Sequence, residues 1–187
     1  MFKFDKRLIQ RIRVPLGFLF AIIFVIFARP TLTSLAIGGA IALAGLAIRA
    51  WASGHIRKAK VLAISGPYAF TRNPLYVGSL ILGVGFTVAA GVWWLAVVFC
   101  LLFFGIYWPV MRVETDDMRR IFGSDFDEYE RNVPLLIPRF TPWKNMGGKF
   151  DFQLYLQYRE YRAAIGALVA VVVLAAKAYF QTSVGIL

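Results

Sequence analysis

The sequence predicts an all-α polytopic membrane protein with about five transmembrane helices, a tight helical hairpin among them, and a cytoplasmic C-terminal helical segment. Three observations indicate this class: 59% of the 187 residues are hydrophobic, 16% are aromatic, and the mean hydropathy is +0.66. A globular domain has a markedly more polar composition. The length suits one domain, 1–187, with a motif-bearing core at 55–140.

Five apolar segments are long enough, or nearly so, to cross a hydrocarbon core, which takes about 20 helical residues. They are Val14–Ala28, Thr31–Ala52, Leu75–Ala90, Val92–Met111 and Ala163–Phe180. The first and third are short, so tilt or local thinning of the bilayer must accommodate them. Almost no loop separates the third and fourth, which predicts the helical hairpin. No small-residue cleavage site follows the first segment, so we expect it to remain in the mature protein.

The orientation follows from the basic residues, which cytoplasmic loops retain. Lysine and arginine are concentrated before the first segment, between the second and third, and between the fourth and fifth. Five crossings then place the N-terminus in the cytoplasm and the C-terminus on the opposite side. This distribution explains the net charge of +11 better than nucleic-acid binding does. No obligate protein partner is evident.

The single cysteine, Cys100, and the single histidine, His55, limit the chemistry of the chain. One cysteine excludes an internal disulfide and a paired-cysteine metal site. A metal centre built from these two side chains is not expected.

Two polar segments are expected at the cytoplasmic surface. From Glu114 to Arg139 the chain is polar and helical with one apolar face, up to the stops at Pro134 and Pro138. We predict a cytoplasmic helix lying against the membrane domain. The aromatic and charged residues of Lys149–Arg162 are typical of an interfacial amphipathic segment.

The stretch SGPYAFTRNPLYVGS interrupts the apolar pattern just before the third segment. Gly66 and Pro67 predict a turn, Pro74 suits the first position of a helix, and Asn73 is a candidate N-cap. A helix N-terminus beside the charge of Arg72 suits a carboxylate or a phosphate. Two simpler interpretations remain: the glycines of this helix permit close helix packing, and Arg72 anchors the chain to lipid phosphate.

Glu114 favours a polar pocket over a simple anchor. A carboxylate at the end of a membrane helix is costly unless it is paired or hydrated. The hairpin geometry predicts that Glu114 lies near Arg72. A structural ion pair between the two is the alternative.

The stretch GPYAFTRNPLYVG, followed about 35 residues later by ETDDMRRIFGSDFDEYERNVPLLIP, resembles the superfamily of isoprenylcysteine carboxyl methyltransferases and phospholipid methyltransferases. The family pattern falls on Gly66, Tyr68, Arg72, Pro74, Tyr76, Gly78, Glu114, Met118, Phe122, Gly123, Phe126, Tyr129, Val133, Pro134 and Pro138. Two positions depart from it. Asn73 stands where the family often has histidine, and Thr115 where it often has a second glutamate.

The resemblance implies an enzyme of the bacterial inner membrane that binds S-adenosylmethionine at the cytoplasmic side, with the polar C-terminal segment closing over it. It implies Arg72 and Glu114 as catalytic residues. The cofactor-binding residues that it implies are Gly66, Pro67, Tyr68, Asn73, Pro74, Tyr76, Gly78, Gly83 and Glu114. Candidates for contacting a lipid or lipophilic acceptor are His55, Lys58, Tyr107 and Trp108. The simpler interpretations are a positive-inside cluster for His55 and Lys58 and an interfacial belt for the aromatic residues.

The acceptor group is left open. A carboxylate acceptor is already ionised near neutrality and needs orientation, for which Arg72 is the candidate, whereas an amine must lose a proton, for which Glu114 is the best-placed base. Two other functions stay open: a membrane reductase using NADPH, related to sterol reductases, and a non-catalytic lipid-binding protein.

Overall fold

The computed structural model describes residues 6–56, 61–144 and 148–183, with side chains described from residue 15 onward. Within these ranges the chain forms seven α-helices, one 3₁₀ turn at Gly66–Ala69 and no β-strand, which confirms the all-α prediction. The helices are α1 Lys6–Phe27, α2 Leu32–Ser53, α3 Pro74–Ala89, α4 Trp93–Phe122, α5 Ser124–Asn132, α6 Phe152–Gln157 and α7 Tyr161–Ser183.

Three helices, α2, α4 and α7, are long and apolar enough to cross a membrane. The apolar parts of α1, Pro15–Phe27, and of α3 are shorter. Large apolar side chains stand exposed on these helices, among them Leu32, Trp93 and Leu101 at 84%, 79% and 70% exposure. Such exposed apolar surface is what contact with lipid requires, so the chain is an integral membrane protein.

The helix predicted between Glu114 and Arg139 is wrong as a single element. Residues as far as Phe122 continue α4 without interruption, and α5 begins only at Ser124. No glycine lies between Val110 and Phe122 to break the helix, whereas Gly123 has a φ of +53°, which turns the chain. The final part of the predicted helix, beyond Asn132, is irregular.

The described chain divides into two compact units. The first comprises Met1–Leu43, Ile81–Val110 and Ile165–Leu187, and the second comprises Ala44–Leu80 and Met111–Ala164. Within the first unit a buried apolar cluster is formed by Ala28, Ala89, Ala90, Leu95 and Leu174. There the Lys177 ammonium donates to the carbonyl oxygens of Val25 and Ile26, at 2.5 and 2.7 Å, and so caps the last turn of α1.

Close contact between α2 and α3 depends on Gly38 and Gly85 in the first unit. A Cβ atom added to Gly85 would collide with the backbone of Ala42 and Gly38, and one added to Gly38 would collide with the backbone of Ala89 and Gly85. Because backbone atoms cannot move aside singly, the two helices would have to separate.

We therefore expect Gly85→Ala to lower the free energy of unfolding in detergent by about 1–3 kcal/mol. Thermal unfolding of the purified protein measures this change. Gly39→Ala is the matched control, since no atom lies within 4 Å of the added Cβ and alanine favours the helix. Equal stability of the two variants would contradict the close contact.

Candidate active site

The guanidinium of Arg72 lies at the centre of a polar cluster in the second unit. Its Nη1 donates to Glu130 Oε1 at 2.6 Å, and its carbon lies 5.9 Å from the centre of the Phe126 ring. The Arg72 side chain is only 12% exposed. Its Nε is buried and has no hydrogen-bond partner among the described residues. A buried donor without an acceptor is costly, so this N–H is available to a bound anionic group.

Glu130 joins two arginines. It accepts from Arg72 and, through its other oxygen, from Arg119. Burial alone would raise the pKa of Glu130, but the hydrogen bonds and charges of the two arginines outweigh it and hold this pKa below its usual range. Glu130 lies 58 residues from Arg72 along the chain and was not among the predicted site residues. The predicted proximity of Glu114 to Arg72 stays a prediction.

The lowered pKa of Glu130 sets a pH dependence of stability. Since the folded-state pKa lies below the unfolded value of about 4.3, ionised Glu130 stabilises the fold above that pH, and this contribution is lost as the pH falls through the folded-state pKa. We expect Glu130→Gln to lower the free energy of unfolding by about 1–3 kcal/mol near neutral pH and by progressively less at acidic pH.

Thermal unfolding of both proteins across this pH range measures the effect. Glu128→Gln is the control, because Glu128 is 52% exposed in its pair with Lys144 and exposed pairs contribute at most about 1 kcal/mol. A difference between wild type and Glu130→Gln that is the same at neutral and acidic pH would contradict the lowered pKa.

Glu114 is hydrogen-bonded to Tyr76 in the same unit. The Tyr76 hydroxyl lies 3.1 and 3.2 Å from the two carboxylate oxygens of Glu114. Tyr76 follows Arg72 by four residues, with Pro74 beginning α3 between them. Tyr76 therefore connects the motif at the start of α3 to the polar end of α4.

Tyr68 lies in the same unit and is buried, with only 6% of the residue exposed. Burial, and then the proximity of Tyr129, Glu114, Tyr158 and Glu160, raise the pKa of the Tyr68 phenol. Burial also raises the pKa of Tyr129, whose hydroxyl donates to the Tyr68 carbonyl oxygen at 2.7 Å. Both phenols therefore stay protonated at neutral pH.

Residues 133–143, called the strap here, run along the motif and are hydrogen-bonded to it. Three backbone bonds of 2.9–3.0 Å join them: Arg72 N to Pro134 O, Arg139 N to Phe70 O and Trp143 N to Ala69 O. Thr71 Oγ1 adds a bond to Leu136 O at 3.0 Å. The strap thus holds the chain from Ala69 to Arg72 in place.

Asn73 and Thr115, the two departures from the family pattern, both use their side chains in hydrogen bonds to backbone carbonyl groups. The side-chain Nδ2 of Asn73 donates to Leu135 O of the strap at 3.0 Å, and the role of Asn73 as N-cap of α3 stays a prediction. Thr115 Oγ1 donates to Met111 O, one turn back in α4, at 2.9 Å.

A second, partly buried ion pair in this unit was not predicted from the sequence. Arg49 Nε donates to Glu160 at 2.5 Å, their side chains are 22% and 11% exposed, and Arg49 also donates to Ser79 Oγ. A Cβ added to Gly78 would strike the Arg49 side chain, so Gly78 makes room for it. Glu160 follows Arg159, whose φ of +54° breaks the helix between α6 and α7. The Lys149–Arg162 segment thus supplies a partly buried carboxylate that its amphipathic pattern does not indicate.

The predicted acceptor residues are distributed between the units. His55 belongs to the second unit, where its ring nitrogens lie 2.9 Å from Trp51 O and 3.1 Å from Gly148 O, beside a cavity of about 200 Å³ lined also by Ser65 and Lys149. Lys58 lies outside the described residues. The first unit contains Gly83, Tyr107 and Trp108. Participation of these residues in binding stays a prediction.

No group of three or more His, Cys, Asp or Glu side chains among residues 6–56, 61–144 and 148–183 is arranged to hold a metal ion. The polar cluster is instead built from arginines, tyrosines and single carboxylates. This cluster and the apolar helices together define a class of protein. It is an all-helical integral membrane protein that has an ordered set of charged groups near a helix N-terminus.

Comparison with known families identifies this class further. Residues 32–125, half of the chain, match the family described as phospholipid methyltransferase. The chain belongs to this family of membrane methyltransferases. The matched range contains the motif, Arg72, Tyr76 and Glu114 but ends before Glu130 and the strap.

Two curated relatives come from bacteria. The chain is 33% identical over 99 residues to the nickel-cobalt-cadmium resistance protein NccN of Alcaligenes xylosoxydans xylosoxydans, covering 52% of this chain and 46% of that protein. It is 37% identical over 102 residues to the cobalt-zinc-cadmium resistance protein CzcN of Cupriavidus metallidurans, covering 51% of this chain and 45% of that protein. The chain thus spans about half the length of the relatives it matches. No solved structure matches significantly.

Proposed function

We propose that the chain transfers a methyl group from S-adenosylmethionine to a lipophilic acceptor in the membrane, at the cytoplasmic face of a bacterial inner membrane. Membership of the phospholipid methyltransferase family supports the reaction class. The observation that carries the site assignment is the buried, unpartnered Nε of Arg72 at the start of α3. An N–H donor with a fixed positive charge beside a helix N-terminus is suited to a carboxylate.

The residues of the second unit fit S-adenosylmethionine in charge and polarity. Its carboxylate matches Arg72, and the ring of Tyr76 offers an aromatic face to a sulfonium, a type of contact worth about 0.5–2 kcal/mol. Glu114, which is hydrogen-bonded to Tyr76, would supply a negative charge to the positively charged sulfonium. When bound, the cofactor supplies an activated methyl group on a positively charged sulfur.

The chain's own residues then have three tasks. Arg72, fixed by Glu130 and the strap, orients an anionic group of the ligand. Exclusion of water from the reacting atoms by the apolar helices would favour a displacement in which charge is neutralised. If the acceptor is an amine, the Glu114 carboxylate accepts the proton that the amine loses. A carboxylate acceptor requires no base.

The topology we propose has five spans. The shorter apolar helices Pro15–Phe27 and α3 cross the membrane together with α2, α4 and α7. Only Ala90, Gly91 and Val92 separate α3 from α4, which suits an antiparallel hairpin. The N-terminus then lies in the cytoplasm and the C-terminus on the opposite side. The chain acts as a single methyltransferase domain.

Titration of the purified protein in lipid nanodiscs with S-adenosylmethionine and, separately, with NADPH tests the proposal. We expect saturable binding of S-adenosylmethionine alone. Binding of NADPH alone would assign the chain to a membrane reductase, and binding of neither would indicate a non-catalytic lipid-binding protein. Arg120→Ala serves as a matched control, since Arg120 is 80% exposed and should not affect either titration.

A further inference from the structure

Two large apolar side chains at the turn of the strap project into solvent. Ile137 is 81% exposed and Phe140 is fully exposed, at 103%. They lie in the second unit, in an irregular segment and not on a membrane-spanning helix. Burial of such a side chain contributes about 1.5–3 kcal/mol, so leaving both in water forgoes a considerable stabilisation.

The backbone around this pair is held in place. Thr71 binds Leu136 O on one side, Arg139 N binds Phe70 O between the two side chains, and Arg139 Nη1 binds Asn132 O at 2.9 Å. Pro138 and Pro142 have no N–H groups, which lowers the cost of placing this backbone in a less polar medium. The exposure of Ile137 and Phe140 is thus built into the strap.

The charged residues that flank the pair along the chain are basic. Between residues 131 and 144 the chain has three basic residues, Arg131, Arg139 and Lys144, and no acidic residue. Lys144 is paired with Glu128, which leaves Arg131 and Arg139 as the flanking cations without a carboxylate partner among the described residues. Apolar side chains flanked by cations are typical of a segment that enters the interface of an anionic leaflet. A second protein copy would have no comparable reason to match this predominantly basic border.

We propose that the tip Ile137–Phe140 docks into the surface of an anionic lipid leaflet. Ile137 and Phe140 enter the interface, and the flanking cations Arg131 and Arg139 contact lipid phosphates. Since the strap is hydrogen-bonded on both sides of Arg72, this contact connects the lipid surface to the candidate site. The docking depends on membrane residence alone and stands independently of the proposed methyl transfer.

A site-directed fluorophore tests the docking. Cys100 is the only cysteine, so a Cys100→Ala background accepts single labels. An environment-sensitive fluorophore on Thr141→Cys, next to the tip, is compared with one on Asp125→Cys, an exposed position of α5 in the same unit. Both proteins are placed in phosphatidylglycerol nanodiscs containing lipid spin-labelled near the headgroup end of the acyl chain.

We expect the spin-labelled lipid to quench the label at residue 141 several-fold more than the label at residue 125. Adding Ile137→Ser and Phe140→Ser should remove the excess quenching while circular dichroism and elution volume stay unchanged. Equal quenching at the two positions would overturn the proposal, as would excess quenching that persists in the serine variant. Self-quenching that requires two labelled copies in one nanodisc would also overturn it and would indicate a protein partner.

Discussion

Arg72→Ala is expected to weaken S-adenosylmethionine binding by about 10- to 100-fold, because a charge-assisted hydrogen bond contributes about 1.5–3 kcal/mol. In the structure the Nε of Arg72 is a buried donor without a partner, and a ligand carboxylate would satisfy it. Calorimetric titration in nanodiscs measures the dissociation constant.

Arg72→Lys separates charge from geometry. Lysine keeps the positive charge but lacks the planar fork that donates to Glu130 and the ligand together. We expect intermediate affinity for it. The control Arg120→Ala alters an exposed cation near the end of α4 and should bind as wild type does. Unchanged affinity in folded Arg72→Ala would remove Arg72 from the site.

Glu114→Gln is expected to leave S-adenosylmethionine binding in place and to change the turnover by an amount that depends on the acceptor. If the acceptor is an amine, loss of the proton-accepting group should lower kcat by about 10²- to 10⁴-fold. If it is a carboxylate, glutamine should retain most of the activity, so this variant also distinguishes the two acceptors. Single-turnover methyl transfer measures the rate separately from binding.

Tyr76→Phe removes the hydrogen bond to Glu114 and leaves the carboxylate in place. Loss of this hydrogen bond costs about 1 kcal/mol, so we expect a several-fold decrease in kcat. Asp116→Asn is the matched control, since Asp116 is 61% exposed only two residues beyond Glu114. A large loss in Asp116→Asn, or none in Glu114→Gln with an amine acceptor, would contradict the role of Glu114.

Local sequence patterns predicted the helices well because helix formation depends on near neighbours. The predicted segment Thr31–Ala52 corresponds closely to α2, and Pro74 begins α3 as its fixed φ angle suggests. The end of α4 was misplaced because the change from apolar to polar residues at Met111 marks a change of environment. It does not mark the end of the helix, which Gly123 determines.

The partners of the charged residues were less predictable. Glu130 and Glu160 lie 58 and 111 residues from the arginines that they pair with, and no periodicity relates positions so far apart. Tyr76 and Glu114 were both proposed as site residues from the family pattern, and their hydrogen bond brings two of these residues together. The contact of Asn73 with the strap has no local signal, since it depends on the return of residues 133–143 to the motif.

Incubation of the purified protein in nanodiscs of bacterial lipid extract with methyl-labelled S-adenosylmethionine tests the central claim most directly. We expect the label to enter a lipid-soluble product that is identifiable by mass. We also expect Arg72→Ala to be nearly inactive and Asp116→Asn to be nearly as active as the wild type. No label in any lipid-soluble product, from folded protein over many turnover times, would contradict it.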